Sequence, residues 1–330
     1  MQRAMAMPDG DQYVFDEFPW QPGELDARRE RLCPEAGRSR ERVHISCRLE
    51  GASFAPAEAP PKDEIVIVAY NVERGFRAAE QVELLLSGLD IPPPDVLLLN
   101  EVDRGCSRTG YRNVARDYAR GLGMCYVFGV EFVELPRLWG AGGRVARACE
   151  HGNAIVSRYP LGNARLIRHR SNKSWYSTLQ RTLRLGEPRL GGRMALAADV
   201  KVGDSYLHLY GLHFESGRAN GAQRIAQAEE IAADAASRPF AAIAGGDTNA
   251  GGYLRGGASG EPVAEAFFRH GFVDAHASLP PSERATTRSG VVIDLVLGKG
   301  VEFAAAGVGS AKIWDPLSDH RPVWARVRLR

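Results

Sequence analysis

The feature of this chain that most limits its fold is a series of short apolar runs rich in β-branched residues. Nine such runs have the length and composition of buried strands, at 65–70, 95–100, 125–130, 153–157, 194–200, 206–210, 240–244, 291–297 and 323–329. Helical spacing of apolar residues appears in fewer places, at 82–89 before the prolines of 92–94, at 114–122 before Gly123, and at 221–236. This excess of strands favours two stacked sheets flanked by helices over one parallel sheet.

The first sixty residues differ from the rest of the chain. Residues 1–50 mix charges with little periodicity, and the Ala- and Pro-rich segment 55–61 has the composition of a linker. We therefore predict an N-terminal extension and linker at 1–62 and a folded domain at 63–330. Neither of the glycine-rich nucleotide-binding patterns occurs between a predicted strand and a predicted helix, so nucleotide cradles of those types lack support.

Cysteine usage and hydropathy bear on the compartment. The five cysteines are scattered, odd in number and without a CxxC pair. This pattern argues against a disulfide framework or a structural zinc site and favours a reducing compartment. No apolar run approaches the roughly 20 residues that span a bilayer, and residues 1–10 lack the apolar stretch of a secretory signal. We expect a cytoplasmic protein without stable membrane insertion; its oligomeric state is not predictable from the chain.

Polar residues lie at or beside the ends of the predicted buried strands. Those that end or follow a strand are Asn71, Asn100 with Glu101, His213, and Asp247 with Asn249. Asp294 lies within a predicted strand, and Asp319 with His320 precedes the last one. Residues at strand ends project from a rigid scaffold toward a common rim. Carboxylates gathered there repel one another unless a cation intervenes. Oxygen-only ligands suit a hard ion, so the cofactor expected is Mg²⁺ or Mn²⁺.

Each of these residues taken alone has a simpler interpretation. An Asp or Asn after a strand is commonly a turn former or a helix cap. Asp294 is the exception, because an acid inside the apolar run 291–297 is costly to bury without a partner. A hydrogen-bonding neighbour such as His320 would satisfy it. Six such segments in one chain favour a shared site over six separate turns.

In their order, these segments resemble the motif set of the endonuclease/exonuclease/phosphatase superfamily, which includes pancreatic deoxyribonuclease, abasic-site endonucleases, neutral sphingomyelinases and inositol polyphosphate phosphatases. The matching elements are Asn71, Asn100-Glu101, the run from Gly152 to Pro160, His213, Gly246-Asp247-Thr248-Asn249, Asp294 and Ser318-Asp319-His320. The resemblance covers about 64–330. It implies an α+β fold, a four-layer α/β/β/α sandwich with two mostly antiparallel sheets packed face to face.

The resemblance also implies how the metal and the water are held. Glu101 would be the central metal ligand with Asn71 beside it, and Asp319 would complete the shell or contact a second ion. Asp247 and Asn249 would orient the attacking water and the phosphoryl oxygens.

Two histidines receive roles in the same way. His320 would contact the phosphate or act as a base, and Asp294 would hold its imidazole in the useful tautomer. His213 matches a histidine of the deoxyribonuclease and sphingomyelinase branches, where it bears on the leaving group, and Glu131 is a candidate partner for it. Asn153 would donate hydrogen bonds to the substrate without adding negative charge.

A basic block between two matched strands is a candidate for substrate selection. Arg189 and Arg193 could grip phosphates, and Trp175 and Tyr176 could stack on a base or cover an apolar group. The alternative is a solvated loop with one aromatic residue tucked into the core.

Other polar residues near the matched motifs have two interpretations each. Arg104, Arg108 and Arg112 could line the site entrance or form a solvated face. Arg224 and Gln227 could face the site or anchor the long helix.

The function predicted from these features is metal-dependent hydrolysis of phosphoester bonds, by a phosphodiesterase or nuclease. The net charge of +2 neither favours nor excludes nucleic acid as the substrate. Two alternatives stay open in other substrate classes: a phosphomonoesterase, or a lipid phosphodiesterase whose only candidate membrane-contact loop is 135–139. A third is an inactive binding module, which the presence of all the motif residues disfavours.

Overall fold

The computed structural model describes residues 5–6, 12–13, 15–17, 49–56, 59–136, 145–173, 175, 189–250 and 263–329. The strands in these ranges are β1 (Met5–Ala6), β2 (Gln12–Tyr13), β3 (Leu49–Ser53), β4 (Glu64–Arg74), β5 (Val96–Arg104), β6 (Cys125–Glu134), β7 (Cys149–Ser157), β8 (Leu161–Arg168), β9 (Arg189–Gly191), β10 (Met194–Val202), β11 (Ser205–His213), β12 (Ala241–Asp247), β13 (Phe272–Asp274), β14 (Asp294–Lys299), β15 (Glu302–Val308) and β16 (Val323–Arg328). The helices are α1 (Ala78–Ser87), α2 (Val114–Leu122), α3 (Gly221–Ala236), α4 (Val263–Arg269) and α5 (Ala311–Trp314).

The strands form two large mixed sheets and one small hairpin, β1–β2. The larger sheet has the order β15-β16-β4-β5-β7-β6-β3, with β9 also paired to β6, and the smaller has the order β13-β14-β12-β11-β10-β8. Each sheet contains a single parallel pair, β4 with β5 and β11 with β12, and its other pairs are antiparallel. The predicted pair of mostly antiparallel sheets is confirmed.

Alternating side chains place the core between the sheets. In β4, Ile65 and Ile67 face the smaller sheet and pack with Leu196 of β10, whereas Tyr70 faces the helices. In β10, Ala197 faces away from the larger sheet and packs with α3. Each large apolar side chain buried in this way contributes about 1.5–3 kcal/mol. The layers are helix, sheet, sheet and helix, as predicted.

Helices α1 and α2 end at residues with left-handed backbone. Asn113 caps α2 by accepting a hydrogen bond from the Arg116 N–H, and Gly123 ends that helix with φ of 64°. Helix α1 ends at Ser87 with Gly88 at φ of 65°, which is earlier than the proline run suggests. The glycine adopts the αL conformation without strain and stops the helix first, leaving Leu89 outside it.

Part of the predicted extension belongs to the larger sheet. β3 pairs with β6 along the sheet edge, and Phe15 is buried against Tyr206. The domain boundary at residue 62 stays a prediction, but 49–53 contribute an edge strand to the sheet. The periodicity of 49–53 is too short to reveal this from the sequence.

One expectation about the cysteines is wrong, because Cys106 and Cys149 form a disulfide. They lie just after β5 and at the start of β7, and the pairing of these two strands brings them together. Spacing alone hides this, since 43 residues separate the two cysteines. The argument for a reducing compartment therefore loses its premise, and the cytoplasmic location stays a prediction. Among the described helices, none is long and apolar enough to cross a membrane.

Candidate active site

The two parallel strand pairs deliver polar residues to one rim of the sandwich. Asn71 of β4 lies opposite Asn100 of β5, and His213 of β11 lies opposite Asp247 of β12. Asp294 of β14 pairs with Asp247 on the other side. Asn100 joins the two sheets, because its amide donates to the Leu212 carbonyl at 2.8 Å and its oxygen accepts from the Asp247 N–H at 3.0 Å.

Asp247 is the centre of the site. Its carboxylate accepts hydrogen bonds from the Asn71 amide at 3.2 Å and from the Asn249 N–H at 2.8 Å. Two imidazoles flank it, with Nε2 of His213 at 3.7 Å and Nε2 of His320 at 3.9 Å from Oδ2. The structure thus brings together these five predicted residues. We call Asp247, Asp294, His213 and His320 the rim cluster.

His320 is held from behind by Asp294. Its Nδ1 lies 2.8 Å from Oδ2 of Asp294, so the predicted contact is present. Both residues are buried. Burial lowers the pKa of His320, but the carboxylates of Asp294 and Asp247 outweigh that effect and hold the pKa well above its ordinary value. The imidazolium can therefore donate a proton or a hydrogen bond to a phosphate.

The carboxylates of the rim cluster destabilise each other. Burial raises the pKa of Asp247, and the neighbouring Asp294 raises it further, while His320, His213 and Arg193 oppose these effects. In addition, Oδ1 of Asp294 is buried without a hydrogen-bond partner. An unsatisfied buried oxygen lowers the stability of the fold by about 1–3 kcal/mol. This is typical of a functional site.

His213 has its own acidic partner and an arginine. Nδ1 of His213 lies 2.9 Å from Oε2 of Glu131, the candidate partner. Arg193 donates to Oε1 of Glu131 at 2.6 Å and lies 2.8 Å from Nδ1 of the same imidazole. Burial raises the pKa of Glu131, but His213 and Arg193 lower it to about 2. Glu131 therefore stays ionised and fixes His213 and Arg193 beside Asp247.

Glu101 occupies an irregular position in the middle of the pairing between β5 and β7. Its backbone has φ of 57°, in a register shift between Leu99 and Val102; a non-glycine residue in this region costs of order 1–3 kcal/mol. Burial raises the pKa of Glu101, but His151, Arg74, His213 and Arg193 hold it far below its usual value. Within the described ranges we find no hydrogen bond to this carboxylate. An ionised, hydrogen-bond-free carboxylate suits a divalent ion.

Asp319 stands apart from the rim cluster. Its side chain is exposed, and its N–H donates to Oε2 of Glu73 at 3.1 Å. Burial raises the pKa of Glu73, and the nearby Asp319 raises it further. Two carboxylates that repel each other at the rim are a reason for a cation there. Sequence reasoning missed Glu73, although it lies only two residues after Asn71.

A second geometric possibility for a metal lies within the rim cluster. Of the residues described, Asp247, Asp294 and His320 each offer a ligand atom within 4.8 Å of the others. Metal ligation needs a neutral imidazole, whereas these carboxylates favour the imidazolium of His320. Proton transfer or phosphate contact therefore fits this trio better than metal binding does.

Trp175 and Arg189 pack on each other beside Arg193. The Trp175 ring meets Phe132 edge-on at 5.0 Å between centroids, and the Arg189 guanidinium lies 4.8 Å from the Phe132 centroid. Arg189 also pairs with Glu134 at 3.1 Å. Both interpretations of the basic block hold in part, since Trp175 packs on the core while Arg193 lies at the site. Tyr176 lies outside the described residues.

Asn153 is engaged within the fold and does not face the site. Its side-chain oxygen accepts from the Asn100 amide at 3.1 Å, and its own amide lies 3.4 Å from the Met194 carbonyl. It connects the two sheets behind Asp247. Arg224 and Gln227 are also anchors: Arg224 donates to the Glu215 and Gly217 carbonyls, and Gln227 donates to the Ser171 carbonyl.

Neither interpretation of the arginines after Glu101 is correct for the first two. Arg104 is buried in ion pairs with Glu50 and Glu150, and Arg108 is buried against Asp103 at 2.7 Å. Half-exposed Arg112 donates to the Gly75 carbonyl at 3.1 Å.

A buried acid–histidine pair escaped the sequence analysis. Nδ1 of His151 lies 2.9 Å from Oδ1 of Asp103, and the two residues are direct partners across β5 and β7. Burial raises the pKa of Asp103, but Arg108 and His151 lower it below its usual range. The sequence did carry a signal for this pair: Asp103 lies two residues after Glu101, and His151 lies two residues before Asn153.

Comparisons with known proteins agree with this geometry. Residues 68–320 match the model of the Endonuclease/Exonuclease/phosphatase family. A search of curated protein sequences finds no match.

Solved structures with the same fold include an endonuclease/exonuclease/phosphatase from Beutenbergia cavernae, with a TM-score of 0.59, 14% identity, and coverage of 81% of this chain and 72% of that one. A humanized D. rerio TDP2 has a TM-score of 0.53 and 17% identity over 81% of this chain and 99% of its own. The human Nocturnin catalytic domain, with a bound sulfate anion, has a TM-score of 0.53 and 16% identity over 82% and 97%.

Proposed function

Because the chain belongs to the Endonuclease/Exonuclease/phosphatase family, we propose that it is a metal-dependent phosphodiesterase of the nuclease class. Members of this family are phosphoester hydrolases, which supports the general reaction. The single observation that carries the proposal is Asp247 between two histidines, each of which has an acid behind it: Glu131 behind His213 and Asp294 behind His320.

The rim cluster supplies groups for both ends of a hydrolysis. Asp247, fixed by Asn71 and by the Asn249 N–H, can orient a water molecule and accept its proton. His320, charged beside Asp294, can contact a phosphoryl oxygen. His213 lies on the other side of Asp247 with Arg193 beside it; that position suits the leaving oxygen, which must receive a proton.

The donor set fits Mg²⁺ or Mn²⁺. Glu101 and Asn71 would hold the ion, with Asp319 completing the shell or contacting a second ion, because all three offer oxygen. A bound ion of this kind neutralises charge on the phosphate and lowers the pKa of water. The side-chain oxygen of Asn71 accepts a hydrogen bond from the Glu73 N–H at 3.2 Å. Because an amide oxygen has two lone pairs, the second lone pair stays available for the ion.

A diester substrate is favoured because His213 matches a histidine of the deoxyribonuclease and sphingomyelinase branches, which cleave diesters. An alcohol leaving group needs a proton, and His213 with Glu131 and Arg193 provides a buried, oriented imidazole for it. The likeness to the human Nocturnin domain with its bound sulfate, at 16% identity, concerns the fold alone. The lipid alternative gains no support, because most of 135–139 lies outside the described residues.

The test is hydrolysis of bis-p-nitrophenyl phosphate and of p-nitrophenyl phosphate with Mg²⁺, Mn²⁺ or EDTA. We expect metal-dependent cleavage of the diester, and a fall in kcat of about 10²–10⁴-fold in His320→Ala, the usual size of a general acid–base contribution. His270→Ala is the matched control, because His270 is a half-buried histidine that pairs with Glu229 away from the rim.

Three results would count against this assignment. A preference for the monoester would replace the phosphodiesterase by a phosphatase. Full activity in EDTA would remove the metal from the proposal. Equal activity of His320→Ala and His270→Ala would remove His320 from the reaction.

A further inference from the structure

Two exposed aromatic rings lie on the loops that follow β4 and β5. Phe76 is 37% exposed and Tyr111 is 53% exposed. Both loops leave the sheet at its functional rim, after the strands that carry Asn71 and Glu101. The chemistry proposed above uses neither ring, and neither packs into the core.

Each ring is paired with an arginine. The Arg74 guanidinium lies 5.9 Å from the Phe76 centroid, and the Arg147 guanidinium lies 4.9 Å from the Tyr111 centroid. Such contacts contribute about 0.5–1 kcal/mol at exposed sites. Arg147 is exposed, so its positive charge lies beside the open ring of Tyr111. We call Arg74, Phe76, Tyr111 and Arg147 the aromatic platform.

The three segments that carry the aromatic platform are tied to one another. Arg112, next to Tyr111, donates to the carbonyl of Gly75, next to Phe76, at 3.1 Å. The Ala146 N–H, next to Arg147, donates to the Ser107 hydroxyl at 2.8 Å. The disulfide between Cys106 and Cys149 joins the same two segments covalently. The rings are therefore presented on a fixed surface, which lowers the entropy cost of binding.

The aromatic platform adjoins the reaction site through the backbone. Arg74 ends β4 and pairs in register with Val102, the residue directly after Glu101. Arg74 is also only three residues after Asn71. A bound polymer that lies across the aromatic platform can therefore extend toward the rim cluster.

We infer that the aromatic platform binds single-stranded nucleic acid next to the scissile phosphate. Unpaired bases stack on the exposed rings, and the backbone phosphates meet the exposed guanidinium of Arg147. A duplex hides its base faces, so it cannot stack in this way. An apolar membrane or protein partner matches poorly, because each ring has a cation at its side. The inference rests on the proposed function only for its statement that the bound strand is cleaved.

The test is fluorescence anisotropy with a labelled single-stranded oligonucleotide of about 12 nucleotides, within the usual site size of such surfaces. EDTA is present, so that binding is measured without turnover. We expect Tyr111→Ala and Phe76→Ala each to raise Kd about tenfold, because each removes one ring on which a base stacks. Tyr111→Leu, which keeps the apolar bulk, should be as weak as Tyr111→Ala.

Leu89→Ala is the control, because Leu89 is an exposed apolar residue outside the aromatic platform at 80% exposure. It should leave Kd and both hydrolysis rates unchanged. Arg147→Gln should reduce the slope of log Kd against log salt by about 0.7, the value for one phosphate contact to a single strand. In the presence of metal, the ratio of oligonucleotide cleavage to bis-p-nitrophenyl phosphate cleavage should fall about tenfold in Tyr111→Ala.

Three outcomes would overturn the inference. The first is equal Kd values for wild type and both ring variants. The second is tight binding by Tyr111→Leu with weak binding by Tyr111→Ala, which would indicate an apolar partner. The third is a preference for duplex over single strand. If the wild type does not cleave bis-p-nitrophenyl phosphate, the proposed function is wrong. The inference about the aromatic platform is still tested separately, by oligonucleotide binding in EDTA.

Discussion

Glu50 and Asp247 are both buried carboxylates, but they lie in opposite kinds of surroundings. Glu50, in the edge strand β3, meets the Arg104 guanidinium, the Asn113 amide and the Tyr126 hydroxyl. Burial raises the pKa of Glu50, and these donors outweigh it and lower the pKa below its usual value. We call Glu50, Arg104, Asn113 and Tyr126 the edge cluster. For Asp247, burial and Asp294 together leave the pKa raised.

The comparison separates a structural network from a functional one. In the edge cluster, donors of hydrogen bonds surround one acid, so the native state favours the ionised form. In the rim cluster, Asp247 lies between two imidazoles and Asp294 lies close to it, and one oxygen of Asp294 has no hydrogen-bond partner. The ionised carboxylates of the rim cluster destabilise each other, and the rest of the fold holds them in place. Such a site can accept a cation, a proton or a phosphate.

The largest expected effect comes from neutralising the centre of the rim cluster. Asp247→Asn should lower kcat for bis-p-nitrophenyl phosphate about 10³-fold, because the amide cannot accept a proton from water. The same change should raise the free energy of unfolding by about 1 kcal/mol, since the raised pKa means that ionisation destabilises the native state. Urea unfolding and steady-state kinetics check both. A loss of stability alongside the loss of activity would contradict the contrast drawn above.

The next effect is the converse change in the edge cluster. Glu50→Gln should lower the free energy of unfolding by about 3 kcal/mol, because it leaves the buried Arg104 with one fewer acid. The kinetics should stay at the wild-type level, since within the described part of the chain no hydrogen bond or ion pair joins the edge cluster to the rim cluster. Urea unfolding of this variant beside Asp247→Asn is the measurement. Unchanged stability would show that Glu150, the other acid beside Arg104, is sufficient for that arginine.

Local sequence patterns predicted those parts of the site that depend on a single strand end. Asn71, His213 and Asp247 come within three residues of the end of an apolar run, and their meeting at one rim follows from two parallel strand pairs. The contact of Asp294 with His320 was predictable as well, because an acid inside an apolar strand needs a partner.

The parts that the sequence could not predict all depend on pairings across long separations. Arg193 reaches Glu131 across 62 residues, and His151 reaches Asp103 across 48. Arg193 was predicted only as one of two arginines of a basic block that could grip phosphates, because the pattern of a loop does not show which arginine turns inward. The register between β5 and β7 brings His151 opposite Asp103. A shift of this register by one residue would place the two side chains on opposite faces of the sheet.

The pH dependence sharpens the difference between the two clusters. Because the pKa of Glu50 is lower in the native state than its usual 4.5, its contribution to stability is fully present above that value and is lost as the pH falls through the native pKa. The difference in unfolding free energy between wild type and Glu50→Gln should thus be constant between about pH 6 and pH 7 and should vanish in stronger acid. Urea unfolding over a series of pH values measures it. A difference that grows in acid would reverse the sign of the shift and contradict the structure.

The smallest effect tests whether burial, and not ion pairing as such, gives the edge cluster its strength. Arg165 pairs with Asp234 on the outer side of the smaller sheet, where the side chains are 31% and 26% exposed. Burial raises the pKa of Asp234, but Arg165, Tyr210 and Arg238 lower it, as the donors do for Glu50. Arg165→Gln should nevertheless lower the free energy of unfolding by only about 0.5 kcal/mol, and less at high salt, because water and ions screen the pair. If it cost as much as Glu50→Gln in urea unfolding, the number of donors would matter more than their burial.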